Sequence, residues 1–177
     1  MKNCRAIYCL VVIVLSLLAS SCVNAKVRQY KAQEVAEYPH DRTSYTQGLF
    51  FYDGQMYEST GLNGKSTFRK VDIRTGNALY RLNFDRRYFL EGSVEKDGNI
   101  YMLTWQNNVA FVYDAKTLKY KRSYSYPREG WGLTTDGKSL IASDGSANLY
   151  FLDEDFRTSR KMTVRLNGRP VNDLNEL

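Results

Sequence analysis

The chain has 177 residues, 43% of them hydrophobic and 25% charged, with 14 Tyr, 8 Phe, a single His and a formal net charge of +6. This composition excludes disorder and collagen, and one histidine excludes any multi-histidine zinc site. All three cysteines, Cys4, Cys9 and Cys22, fall in the first 22 residues, so no disulfide framework is available to the rest of the chain.

Residues 1–25 read as an export signal: Lys2 and Arg5 precede the apolar run Leu10–Leu18, which is too short to span a bilayer, and small residues follow. Two cleavage readings stand open. One cuts after Val23-Asn24-Ala25 and gives a soluble exported protein; the other cuts before Cys22, within the lipobox-like Ala19-Ser20-Ser21-Cys22, and anchors the protein to a membrane through a lipidated Cys22. Either way it is periplasmic or extracellular. Residues 26–177 keep 23 basic against 19 acidic side chains, a net +4. The densest basic cluster, Lys116, Lys119, Lys121 and Arg122, is interleaved with Tyr120 and Tyr124 as on a solvated outer strand, so no nucleic-acid partner is expected.

From there the chain repeats. Residues 26–38 read as one outer-type strand, Val27 to Val35 being the kind of segment that closes a ring. Asp53-Gly54, Asp97-Gly98 and Asp136-Gly137 are hairpin signals at intervals of 44 and 39 residues. Each follows a glycine-containing strand, beginning at Gln47-Gly48, Glu91-Gly92 and Trp131-Gly132. Each precedes a second strand (55–60, 99–104, 139–143), then a third ending in an acidic turn (68–72, 110–114, 149–153), then a fourth (78–84, 120–126, 160–166). Four short strands per unit predict an all-β chain, a β-propeller of four-stranded blades. Three blades fit within residues 45–167, and Asn175-Glu176-Leu177 opens another. Residues 26–177 therefore read as an incomplete β-propeller domain, with an open blade-three face that invites self-association.

Inner strands ring the axis of a propeller, so equivalent positions at their starts converge on one mouth. Gln47, Glu91, Trp131 and Asn175 share that position, at intervals of 44, 40 and 44. The second strand of each blade returns to the same end, which brings Trp105 there, with Gly61 and Asp144 as its repeat partners. A carboxyl between aromatic walls has a raised pKa and suits general acid or base work. The same residues also fit blander duties: Glu91 as a turn residue, the tryptophans as inter-blade packing, Gln47 and Asn175 as strand-end hydrogen bonders. Asp144, Asp153 and Asp155 read as turn residues without calcium-loop spacing, and His40 as a surface-loop residue.

The assembled motifs resemble the zinc-independent glutaminyl-peptide cyclotransferases of the plant and bacterial type, five-bladed propellers. The resemblance runs from Tyr45 to Leu177 through Tyr45-Thr46-Gln47-Gly48-Leu49, Glu58-Ser59-Thr60-Gly61-Leu62, Asn63-Gly64-Lys65-Ser66, Glu91-Gly92, Gly130-Trp131-Gly132-Leu133-Thr134 and Leu174-Asn175-Glu176-Leu177. It implies cyclisation of an N-terminal glutaminyl residue to 5-oxoproline with release of ammonia, on peptide substrates and without a cofactor or metal. By the same resemblance Glu91 is the catalytic carboxyl, Gln47, Trp105, Trp131 and Asn175 line the substrate pocket, and Tyr45 and Phe89 are its aromatic neighbours. Leu90 stands where the family usually has Gly. Pocket residues that the family draws from its last two blades, a Trp and a Lys among them, have no counterpart up to Leu177. The competing readings are a noncatalytic exported propeller that binds peptides or glycans at the same mouth, and an inactive fragment.

Overall fold

Two-residue Asp-Gly turns set the first two blades. A computed structural model of the chain describes residues 27–177, and both central residues of these turns lie at positive φ (Asp53 48°, Gly54 69°, Asp97 51°, Gly98 74°). Paired left-handed residues give a hairpin turn whose twist matches that of the flanking strands. The third signal works differently. Gly137 has φ 82°, and the loop is longer, held by the Asp136 carboxylate accepting from the backbone N–H groups of Lys138 and Ser139 at 2.9 and 2.7 Å.

Three antiparallel sheets result, each in simple up-and-down order. Blade one is β1 (Thr46–Tyr52), β2 (Gln55–Thr60), β3 (Thr67–Val71) and β4 (Ala78–Asn83). Blade two is β5 (Leu90–Lys96), β6 (Asn99–Thr104), β7 (Val109–Asp114) and β8 (Tyr120–Ser125). Blade three is β9 (Leu133–Thr135), β10 (Leu140–Ser143), β11 (Asn148–Leu152) and β12 (Thr158–Thr163). A small hairpin, β13 (Arg165–Leu166) with β14 (Arg169–Pro170), follows on an Asn167-Gly168 turn and was not expected. The third-to-fourth strand turns are matched Asx turns: Asp72, Asp114 and Asp153 each accept a backbone N–H two residues on.

The core lies between blades, as stacking requires. In β6 the period-2 alternation sends Ile100 and Met102 toward blade one, against Tyr57 and Phe68, and Tyr101 and Leu103 toward blade three, against Leu133, Leu140 and Phe156. All four are buried. A strand covered on both faces reads as a continuous apolar run, which is why Asn99–Thr104 carries no polar alternation. Inner-strand glycines let successive blades close on one another. A Cβ on Gly48 would come 2.6 Å from the Ser93 nitrogen, one on Gly92 would strike the backbone of Trp131 and Leu133, and one on Gly132 would strike that of Asn175.

The strand expected over residues 27–35 is absent. Residues 27–45 contain no strand, and Val27, Tyr30 and Val35 are 55, 84 and 93% exposed; an extended segment becomes a strand only where a sheet edge takes up its backbone hydrogen bonds, and none of the described sheets includes it. The export signal and Cys22 lie outside the described residues. The blade-three face turned away from blade two bears Phe151, buried beneath the Arg160 guanidinium, which stands 3.5 Å from its ring centroid, and Met162, 42% exposed. The corresponding face of blade one exposes Leu49 and Phe51.

Residues 39–44 lie along that face of blade one, over a charged network. Glu58, fully buried on β2, accepts from Thr46 Oγ1 at 2.5 Å and His40 Nε2 at 3.0 Å through one oxygen, and from Arg69 through the other. Arg69, buried on β3, reaches on to Asp41 at 2.8 Å and to the Ser44 hydroxyl. Two Thr43 donors, then Arg69, hold the Asp41 carboxyl well below its usual range. His40 is thus the half-exposed end of a buried network and more than a surface-loop residue.

Candidate active site

Hydrogen bonds from one blade to the next fix the mouth. Gly92 N–H donates to the Trp131 carbonyl at 2.8 Å, the Ser59 hydroxyl to the Glu91 carbonyl at 2.6 Å, and the Ser143 hydroxyl to the Asn175 carbonyl at 2.9 Å. The equivalence read from the repeat thus holds at backbone level for Glu91, Trp131 and Asn175, which follow one another from blade to blade. The Asn175 side chain itself is exposed.

Glu91 begins the inner strand of blade two and is 5% exposed. Gln47, from the equivalent position of blade one, donates its Nε2 to Glu91 Oε2. Burial pushes the Glu91 carboxyl up to about 8; the Gln47 donor opposes this, and the charges of Glu176 and Glu129 reinforce it. A buried acid with a raised pKa holds its proton in the folded state where the unfolded chain has lost it. The fold therefore loses stability as pH rises from about 4.5 to about 8 and loses no more beyond. In Glu91→Gln this slope is absent, so the melting temperature of the variant, measured by calorimetry in a pH series, pulls ahead of the wild type between pH 5 and 8. Parallel curves for the two proteins would contradict the burial of this carboxyl.

Aromatic rings flank the mouth. Tyr45 meets Phe89 edge-on at 6.1 Å between centroids, and Phe89 meets Trp105 at 5.5 Å. Gly61, at the end of β2, leaves room for the Phe89 ring. The structural counterpart of Trp105 in blade three is Gly145, one residue beyond the expected Asp144, whose carboxylate instead closes a local turn onto Ser146. Gly145 has φ 78°, and a Cβ there would lie 2.7 Å from the Trp131 ring. Gly145→Ala thus combines left-handed strain of about 1–2 kcal/mol with displacement of the indole. Its tryptophan emission shifts and its urea midpoint drops; unchanged emission would place the indole elsewhere.

Sequence reasoning missed Glu129. This half-buried residue accepts Trp105 Nε1 at 2.9 Å and Trp131 Nε1 at 3.1 Å on one oxygen, and Gln106 Nε2 at 2.9 Å on the other. The Gln106 bond first, then the Trp131 bond, lower its pKa, so it carries a fixed charge. The available signal was physical: a partly buried indole N–H needs an acceptor, and Glu129 stands two residues before Trp131. Among the described residues no cluster of His, Cys, Asp or Glu has the arrangement of a metal site.

The comparisons agree with this geometry. A glutamine cyclotransferase family model matches residues 7–177. The chain is 41% identical over 162 residues to the glutaminyl-peptide cyclotransferase of Arabidopsis thaliana, covering 90% of this chain and 51% of that one. It superposes on the crystal structure of Myxococcus xanthus glutaminyl cyclase with a TM-score of 0.75 at 31% identity, over 80% of this chain and 60% of that one. The WD40 domain of Neurospora crassa Pan2, at TM-score 0.54 and 13% identity over 67% of this chain and 36% of that one, shares the propeller fold alone. The chain spans about half the length of the curated relative it matches. With three up-and-down blades, an inner-strand Glu-Gly and the matching family model, the chain belongs to the glutamine cyclotransferase family.

Proposed function

We propose that this chain cyclises N-terminal glutaminyl residues of peptides to 5-oxoproline, releasing ammonia, with Glu91 as the proton carrier. The observation that carries the reading is the Glu91 carboxyl, 5% exposed and held by Gln47, whose burial pushes it up to about 8. The α-amine of a peptide titrates at about 7.7–8.0. Proton transfer from that ammonium to Glu91 is nearly thermoneutral, whereas an ordinary carboxylate near 4.5 would face a climb of about 4–5 kcal/mol.

The freed amine nitrogen attacks the carbon of its own γ-carboxamide. The C–N bond of the ring forms, the proton held by Glu91 passes to the carboxamide nitrogen of the tetrahedral adduct, and the ring nitrogen, which still carries two protons, returns one to Glu91. The adduct then collapses, ammonia leaves, and Glu91 sheds this last proton to solvent, which resets the carboxylate. One carboxyl thereby serves as base and then as acid. Gln47 spends its Nε2 on Glu91, which leaves its amide oxygen, with the Asn175 side chain, to bond the substrate amide. Trp105 and Trp131, with Phe89 and Tyr45 beyond them, hold the short aliphatic segment folded so that amine and carbonyl carbon are in reach. The export signal read over residues 1–25 supports action outside the cytoplasm, with lipid anchoring at Cys22 as the membrane-bound form. Exposed Met162 on the blade-three face supports self-association there, and exposed Leu49 and Phe51 offer a second apolar surface on blade one; light scattering of the purified chain tests this.

The test of the activity is ammonia release from a Gln-initiated dipeptide beside the same dipeptide with its amine acetylated. Release from the first alone is expected. Release from both would mean simple amide hydrolysis, and release from neither by a folded chain would leave a binding module.

A further inference from the structure

The two tryptophans of this chain are both tied to one carboxylate. Trp105 ends the second strand of blade two, and Trp131 precedes the inner strand of blade three, so the two rings come from different sheets and share no backbone hydrogen bond. What joins them is Glu129 Oε2, in the connection between β8 and β9. That connection is itself clamped: Gly130 N–H donates to the carbonyls of Thr104 and Trp105 at 3.1 and 3.0 Å, and a Cβ on Gly130 would lie 2.6 Å from Leu103 Cβ. Gln106 pins the second carboxylate oxygen. The carboxylate therefore has little freedom, and each indole bonded to it has its ring rotation fixed.

An N–H in a half-buried site is satisfied by any carbonyl, so a structural role alone requires neither a charge nor one oxygen shared by two rings. Sharing does something a pair of separate acceptors would not: it sets the orientation of one ring relative to the other across the blade boundary. We propose that Glu129 is a positioning residue for the cyclisation proposed above, aligning the Trp105 and Trp131 rings so that they offer fixed apolar faces to the folded glutaminyl side chain. Its N–H-directed edge contacts keep the polar indole nitrogens occupied, so neither competes for the substrate carboxamide. This inference rests on the proposed function for the identity of the substrate, and on geometry alone for the alignment of the rings.

Because the chain has two tryptophans and both contact Glu129, intrinsic tryptophan emission reports on this arrangement without any turnover. The experiment compares the full chain with Glu129→Ala and Glu129→Gln by emission, acrylamide quenching, thermal melting and ammonia release from a Gln-initiated dipeptide. In Glu129→Ala the emission shifts, quenching rises, and KM rises by about tenfold or more through the loss of two charge-assisted hydrogen bonds, with a smaller change in kcat. Glu129→Gln keeps an oxygen for the indoles and recovers most of the emission and of the KM. A variant that melts lower but keeps the wild-type emission and KM would overturn the proposal, as would a KM change that the glutamine does not rescue. If Glu129→Ala does not fold, the emission and KM of Glu129→Gln, set against those of Gln106→Ala with its loosened carboxylate, decide in the same way. If the wild type releases no ammonia, the cyclase reading fails by itself, and emission still decides whether Glu129 holds the two rings.

Discussion

Glu91→Gln lowers ammonia release from a Gln-initiated dipeptide by about 10²–10⁴-fold, the range ascribed to a positioned acid and base, while the protein stays folded. The amide is nearly isosteric with the acid and can bond Gln47, but it carries no transferable proton. Wild-type kcat/KM follows a bell centred near pH 8. Below that both the α-amine and Glu91 hold protons, above it neither does, and the reactive pair shares one between groups titrating at about 7.7–8.0 and about 8. In the variant the acid-side limb follows the amine alone and the fall at high pH disappears. Steady-state rates across the pH series check both points; wild-type turnover in Glu91→Gln would remove this residue from the reaction.

Arg69→Ala destabilises the fold by about 3–5 kcal/mol, the usual consequence of removing one partner of a buried ion pair. It leaves Glu58, fully buried, without its cation. It also releases Asp41 and Ser44, which leaves the bond from His40 to Glu58 as a remaining tie of residues 39–44 to blade one, and the segment becomes more open to proteolysis. The urea midpoint falls by about 2 M for an m-value of about 2 kcal/mol/M. Replacing the pair together, as Glu58→Leu with Arg69→Met, recovers much of the loss because no buried charge is stranded. A single variant as stable as the wild type would show that water reaches Glu58.

The repeat was legible because backbone geometry leaves marks in composition. Left-handed turn residues require Asp-Gly, close approach at the axis requires Gly48, Gly92 and Gly132, and burial on both faces makes Ile100–Leu103 a continuous apolar run. Those marks phase the blades, and the phasing brought Gln47 beside Glu91 and aligned Trp131 with Asn175 across 44 residues. Polar networks leave no such period. Glu129 takes part through side-chain hydrogen bonds to residues 24 and 23 positions earlier, and Glu58, Arg69, Asp41 and His40 meet through loop placement that no alternation encodes. The strand expected over residues 27–35 failed for a related reason: it rested on the place of the segment ahead of the first blade, as a ring-closing strand, and that place is silent about whether an edge is there to receive it.

Infrared titration of the Glu91 carboxyl, taken as the wild-type minus Glu91→Gln difference in the protonated C=O stretch, tests the central claim without relying on turnover. A band that persists through neutral pH and bleaches with a midpoint near 8 is the predicted result. A band lost near pH 4.5 would contradict it, because an ordinary carboxylate cannot exchange protons on even terms with an α-ammonium.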